Sequence, residues 1–265
     1  MRCAEPGEIE GFVRYVHEVD GRGYTVYHRG PATRPGVILL HELPGMVEQC
    51  VALGRTLSTP VDDAPGYEVH MPLFFGAPGQ RGGLADQARW LWCMRHEMNL
   101  LSLGEASPIT AWVAGLVDEV ARRTGVGRVA VIGMCLTGSL VFGLVAEPLA
   151  AVVASQPALP FGISPWHRRA MGAPRDRVEE MAANGTQVLA MRYRGDPLCP
   201  RARLEEVADT LGHQLPPASP GVIQDAQLGS LRVIDVPGRK HSLLTLDLNS
   251  AALGAVQEFL QENLG

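Results

Sequence analysis

Hydrophobic positions along the chain fall into two alternating rhythms. Residues 9–28 show a period of two: Val13, Tyr15, Tyr24 and Val26 alternate with polar neighbours on either side of Asp20-Gly21, which predicts two short strands joined by a tight hairpin. Later apolar segments are short and continuous: Gly36–Leu40, Val129–Gly133, Ala150–Ala154 and Val188–Met191; Leu231–Val236, interrupted by Arg232 and Asp235, reads as the last strand. A run with no polar face suits a strand covered on both sides. Between these runs the period lengthens to that of a helix. Ser107-Pro108 supplies a cap and a first-turn proline, and Ile109, Trp112, Val113, Leu116, Val117 and Val120 then form one apolar face. Residues 84–101, 201–211 and 251–263 carry the same spacing less regularly. Strands alternating with helices predict an α/β protein with a mostly parallel central sheet and helices on both faces, here as one domain over residues 1–265. Two Gly/Pro-rich segments, 72–83 and 213–229, read as loops, the second a possible lid over the site.

Composition narrows the function. The 23 basic and 28 acidic residues give a net charge of −5, and basic residues do not cluster, which argues against nucleic acid or an anionic membrane as partner. No apolar stretch reaches membrane-spanning length, and the N-terminus lacks the apolar run of a signal peptide. Five scattered cysteines (Cys3, Cys50, Cys93, Cys135, Cys199), an odd set without CxxC spacing, point to a reducing compartment, hence a cytoplasmic protein.

In a parallel sheet the ligand lies beyond the carboxyl ends of the strands, so chemistry is expected just after the apolar runs. Three such places stand out. Gly133-Met134-Cys135-Leu136-Thr137-Gly138 follows one strand and opens an apolar helical run. That strand–turn–helix frame exposes a nucleophile at its apex, and the positive end of the following helix would favour the thiolate. Position 137 is Thr where Gly is common, with Gly138 one residue later. A nucleophile needs a base and a group that orients the base. Asp196 in Gly195-Asp196-Pro197 and His241 in Lys240-His241-Ser242 both lie after strands, in the order nucleophile, acid, histidine. Asp196 read by itself is an ordinary turn residue. The third place is His41-Glu42-Leu43-Pro44-Gly45. It is not a zinc HExxH helix, because position 45 is Gly and Pro44 would break the helix. In this frame the Leu43 and Leu136 amides would form an oxyanion hole, with Glu42 aimed at Cys135. Phe74, Phe75 and Trp90 are candidate apolar walls, and Arg89 a candidate substrate-binding cation. No glycine pattern completes a dinucleotide fingerprint.

These segments, together with Met71–Gly76 and Ser155–Pro160, resemble the dienelactone hydrolase family over nearly the whole chain. The resemblance implies an α/β-hydrolase fold, no metal or cofactor, a Cys135-His241-Asp196 triad, and Glu42 as the group that holds the resting thiol and frees it when substrate binds. It implies an ester or lactone of a small molecule as substrate and a thioester acyl-enzyme. Monomer and homodimer both remain open. Family members acting on the dienelactone itself carry an arginine shortly after the histidine, and here Ser242, Leu243, Leu244 and Thr245 occupy that stretch. A substrate without the carboxylate is therefore expected. Two other readings stay open: a lyase or cyclase of secondary metabolism reusing the pocket, and a catalytically silent ligand-binding protein.

Overall fold

The computed structural model describes residues 4–60, 66–105, 107–159 and 165–265. Cys3 and Pro160, named above, lie outside them. The predicted hairpin forms β1 (Val13–Val19) and β2 (Arg22–Arg29), and Asp20 and Gly21 both take positive φ (50° and 74°). That pair of angles is what a two-residue turn needs to match the twist of its strands. The buried runs become β3 (Gly36–Leu40), β5 (Val129–Met134), β6 (Leu149–Ser155), β7 (Gln187–Tyr193) and β9 (Leu231–Val236). With β4 (Glu68–Leu73) and β8 (Gln224–Leu228) they form one nine-stranded sheet in the order β1-β2-β4-β3-β5-β6-β7-β9-β8. The six strands from β4 to β9 pair in parallel, and β1, β2 and β8 are antiparallel additions at the two edges.

Two expectations are corrected here. Residues 213–229 were read wholly as loop, yet Gln224–Leu228 pairs antiparallel with β9 as the edge strand. Residues 72–73, placed in a loop, complete β4; Pro72 pairs with Val26 of β2 and lies beyond His70, the last residue that pairs with β3. A residue without an N–H is tolerated where the ladder on that side has ended.

Each sheet face is sealed by helices. Helices α1 (Glu48–Ser58) and α8 (Ser250–Leu264) cover one face, burying Cys50, Val51, Leu57, Val256 and Leu260 against β3, β5 and β7. The opposite face takes α3 (Pro108–Thr124), α6 (Arg175–Ala183) and α7 (Arg201–Thr210). The α3 stripe read from the sequence is fully sequestered, with Trp112 at 1% exposure and Val113, Leu116, Val117 and Val120 at 0%. Burial on that scale stabilises by roughly 1.5–3 kcal/mol per large side chain relative to exposure. Ser107 caps α3 as expected, accepting from Ile109 N–H, while its own hydroxyl donates to buried Glu97 on α2 (Leu84–Leu103). Among the described residues no single helix is long and apolar enough to cross a membrane. Cys50, Cys135 and Cys199 carry free thiols, but Cys93 is disulfide-bonded, so the expectation of a wholly reduced set does not hold.

Candidate active site

Cys135 sits between β5 and α4 (Leu136–Leu140) with φ 57° and ψ −119°. A non-glycine residue with positive φ is costly and persists only where its surroundings enforce it. Three features enforce it. Cys135 N–H donates to Ser155 O, and Cys135 O accepts from Ala158 N–H, so the segment after β6 grips the turn on both sides. Gly138 admits the close approach of that segment: a Cβ there would meet Ser155 O at 2.7 Å. The Thr137 hydroxyl accepts from Met134 N–H at 2.9 Å and lies 3.2 Å from Leu40 O, tying the elbow to the end of β3. The departure from glycine at 137 is thus a tether. The helix beyond the elbow is shorter than the sequence suggested, five residues followed by a 3-10 turn at Val141–Gly143, so its dipole adds less at Cys135 than expected.

The groups proposed from sequence converge on Cys135. His241 Nδ1 and Asp196 Oδ2 are 2.6 Å apart, and the Asp196 side chain is fully buried. The second Asp196 oxygen accepts from Leu198 N–H, fixing the carboxylate in its turn. Burial alone would lower the His241 pKa, but the hydrogen bond to Asp196, the adjacent Cys135 and the two negative charges outweigh it and hold the ring up at about 10. A carboxylate oxygen of Glu42, Sγ of Cys135 and a ring nitrogen of His241 lie within 4.8 Å of one another. With Nδ1 committed to Asp196, the nitrogen facing that group is Nε2, which is buried and directed at Cys135.

Sequence reasoning placed Glu42 but missed what holds it. The side chain is wholly buried and receives three neutral donors: the Thr245 hydroxyl at Oε1, and Ser242 Oγ (3.0 Å) and Gln156 Nε2 (3.2 Å) at Oε2. Burial raises its pKa, opposed by those donors and by the charge of His241. Gln156 adopts φ 36° and links three segments: its backbone N–H donates to Met191 O, its side-chain oxygen accepts from Leu243 N–H and the Ser155 hydroxyl, and its amide nitrogen donates to Glu42. The one available signal was the hydroxyl spacing in Ser242-Leu243-Leu244-Thr245. His41 is also buried. It accepts at Nε2 from Phe74 N–H, 3.1 Å away, and burial lowers its pKa to about 4, offset only partly by its contact with Glu42 O, so it is neutral.

The remaining candidates divide. Among the described residues, neither Leu43 N–H nor Leu136 N–H donates to a backbone carbonyl. Leu136 packs with Met98 and Leu101 of α2 and with Leu159. Phe74 lies in the main core, edge-on to Tyr24 and Trp112. Phe75 meets the His41 ring at 4.5 Å and the Trp90 ring at 5.3 Å. Trp90 is 3% exposed and fills space left by glycines: a Cβ on Gly82 or Gly76 would meet its ring at 1.9 or 3.0 Å. It therefore serves the packing of the loop between β4 and α2. Arg89 is engaged by Glu5 (3.5 Å) and Asp86 (3.7 Å), so its charge is already answered by carboxylates.

No family model matches the chain, and no curated protein matches its sequence. Solved structures do match in shape. A provisionally named dienelactone hydrolase from Klebsiella pneumoniae superposes with a TM-score of 0.59 at 18% identity, covering 94% of this chain and 97% of that one. A cold-adapted esterase from an Arctic intertidal metagenomic library gives 0.59 at 14% identity, with 98% and 97% covered. The thioesterase domain from the curacin biosynthetic pathway gives 0.54 at 12%, with 94% and 99% covered. At such identities the likeness is one of architecture, and with the strand order, the elbow and the acid and histidine loops in their places, the chain is an α/β-hydrolase-fold protein.

Proposed function

We propose that the chain is a hydrolase that opens an ester or lactone of a small molecule through Cys135, His241 and Asp196. The observation that carries this reading is the alignment of the three groups, with a 2.6 Å Asp196–His241 contact behind a ring nitrogen that faces a strained, half-buried thiol. The esterase, thioesterase and dienelactone hydrolase names of the structural neighbours support the same class of reaction.

In this mechanism the Cys135 thiolate adds to the carbonyl carbon, and the Leu43 and Leu136 amides receive the oxyanion. Each such donor is worth about 2.7–4 kcal/mol in well-studied enzymes. The carbon–oxygen bond breaks, the leaving alkoxide takes a proton from His241, and a thioester remains. A water then gives its proton to His241 and attacks the thioester, releasing the acid and restoring the Cys135 thiolate beside the protonated ring. Asp196 fixes the ring tautomer and stabilises its charged form. Glu42 holds the resting thiol. Because Ser242, Leu243, Leu244 and Thr245 follow His241 with no arginine among them, and Thr245 donates to Glu42, the acyl group carries no carboxylate that needs a bidentate clamp there.

The test is turnover of activated aryl esters and enol-lactones by wild type and Cys135→Ala. Activity that disappears in the variant is expected. Equal activity in both proteins, or none in either across the panel, would refute the assignment.

A further inference from the structure

The reacting groups have a second capacity as ligands. Sulfur, imidazole nitrogen and carboxylate oxygen are the donor types of three-ligand zinc sites, which leave one position open. Here one atom of each type, from Cys135, His241 and Glu42, already lies within 4.8 Å of the other two. In a tetrahedral zinc site, with bonds of about 2.0–2.3 Å, ligand atoms sit roughly 3.3–3.6 Å apart. Any pair of the three therefore has to close by at most about 1.5 Å.

Independent features prepare the site. His241 Nε2 is buried and faces Cys135, itself one of the three ligands, so ligation releases the Nε2 proton and breaks no hydrogen bond to a group outside the site. The opposite nitrogen is held by Asp196, the carboxylate–histidine arrangement that fixes the tautomer and orientation of metal-bound imidazoles. Glu42 Oε1 receives one protein donor, Thr245, and a carboxylate oxygen has two lone pairs, so one remains. The carboxylate itself is kept in place by Ser242 and Gln156 at its other oxygen. The mixed S, N, O set suits a borderline ion and disfavours magnesium or calcium, which want oxygen cages.

We propose that Glu42, Cys135 and His241 bind Zn2+ as an inhibitory site. Binding forms a sulfur–zinc bond in place of the thiol S–H, and the proton passes to buffer, as does any proton on Nε2. No electron is transferred. The metal occupies the lone pairs of both nucleophile and base, so it stops acyl transfer and shields the thiol from alkylation. This rests on the cysteine-hydrolase reading for its effect on activity, but not for the binding itself.

Co2+ titration of the chelator-treated full-length protein separates the two. Wild type is expected to develop a thiolate-to-cobalt charge-transfer band saturating at one equivalent. Cys135→Ser removes the band, and His241→Ala and Glu42→Gln each weaken binding at least tenfold. Zn2+ displaces the band, inhibits ester turnover over the same concentration range, and is reversed by chelator. A folded wild type without the band overturns the proposal, as does a band that survives Cys135→Ser, or metal that binds while turnover is unchanged or raised. If the band forms as described in a protein that hydrolyses no ester, the metal site stands and the hydrolase reading alone fails.

Discussion

Thr137→Val isolates the tether that replaces the elbow's usual glycine. The valine keeps the shape of threonine and removes its hydroxyl, which at 5% residue exposure no solvent can replace. Met134 N–H loses its 2.9 Å acceptor, and the carbonyls of Leu40 and Met134 lose the proton they share. An unpaired buried donor costs about 1–3 kcal/mol, and the added methyl returns roughly 0.8 kcal/mol. The net loss is about 0.2–2 kcal/mol. Thr137→Ser keeps the hydroxyl and loses only the methyl, at about 0.8 kcal/mol or less. Thr137→Gly loses the hydroxyl and adds backbone freedom worth up to about 1 kcal/mol, so it is the least stable of the three. Urea unfolding reads these differences: with a slope of about 3 kcal/mol per molar, Val lowers the midpoint by roughly 0.1–0.7 M and Ser by about 0.3 M or less, with Ser expected nearer wild type. If Val matched wild type, or Ser lost as much as Val, the hydroxyl would not be the tether.

Three further outcomes follow from buried groups. Arg203 is 1% exposed and donates to the carbonyls of Ala170, Pro157, Leu198 and His167, so Arg203→Met should cost more than about 3 kcal/mol in chemical unfolding, with Arg203→Lys recovering only part through its three donors. Glu97→Ala strips Ser107, Ile109 N–H and Arg22 of their common acceptor at the start of α3; because Arg22 remains solvated, the loss is about 1–3 kcal/mol, a fall of several degrees in thermal unfolding. Burial, with the charges of His28 and Arg123, lowers the His70 pKa from 6.5 to about 3, so its neutral form is favoured on folding: that stability is complete above pH 6.5 and lost as pH falls toward 3. Glu68 beside it, raised by burial, works in the opposite sense in both proteins, so stability of wild type should fall more steeply with acid than that of His70→Gln, by up to about 1.4 kcal/mol per pH unit. Identical slopes would mean His70 is protonated in the fold.

What could be read from the chain depended on how a residue's signal is carried. Strands β3, β5, β6 and β7 were legible because burial on both faces forces apolar runs, β9 through its apolar residues on either side of Arg232 and Asp235, and the hairpin because its turn demands two positive φ angles. Strand β8, Gln-Asp-Ala-Gln-Leu, was not: an edge strand held by its backbone to one neighbour needs no apolar face. Helix α1 does carry a helical stripe, Cys50, Val51, Leu53, Gly54, Leu57 and Ser58, that sequence reasoning missed, whereas α6 is mostly polar and buries only Val178 and Met181.

The site divides along the same line. Cys135, Asp196 and His241 announce themselves because each follows a strand whose direction is set by the sheet, and parallel pairing brings those ends together. The Glu42 cradle is invisible in one dimension, since Gln156, Ser242 and Thr245 stand 114, 200 and 203 residues from the carboxylate they hold. Only the order β3-β5-β6-β7-β9 brings the ends of β3 and β6 and the loop after β9 to one point. That cradle has a chemical consequence. Every one of its donors is neutral, so the one cation that acts on Glu42 is His241, whose imidazolium is shared with Asp196, while Arg203 reaches Asp196 and Cys135 but not Glu42. A carboxylate left with only a shared cation favours any step that brings positive charge to it and to Cys135. A proton on its way from the thiol and a divalent metal both meet that description, which is why the arrangement that suits thiol chemistry also suits zinc.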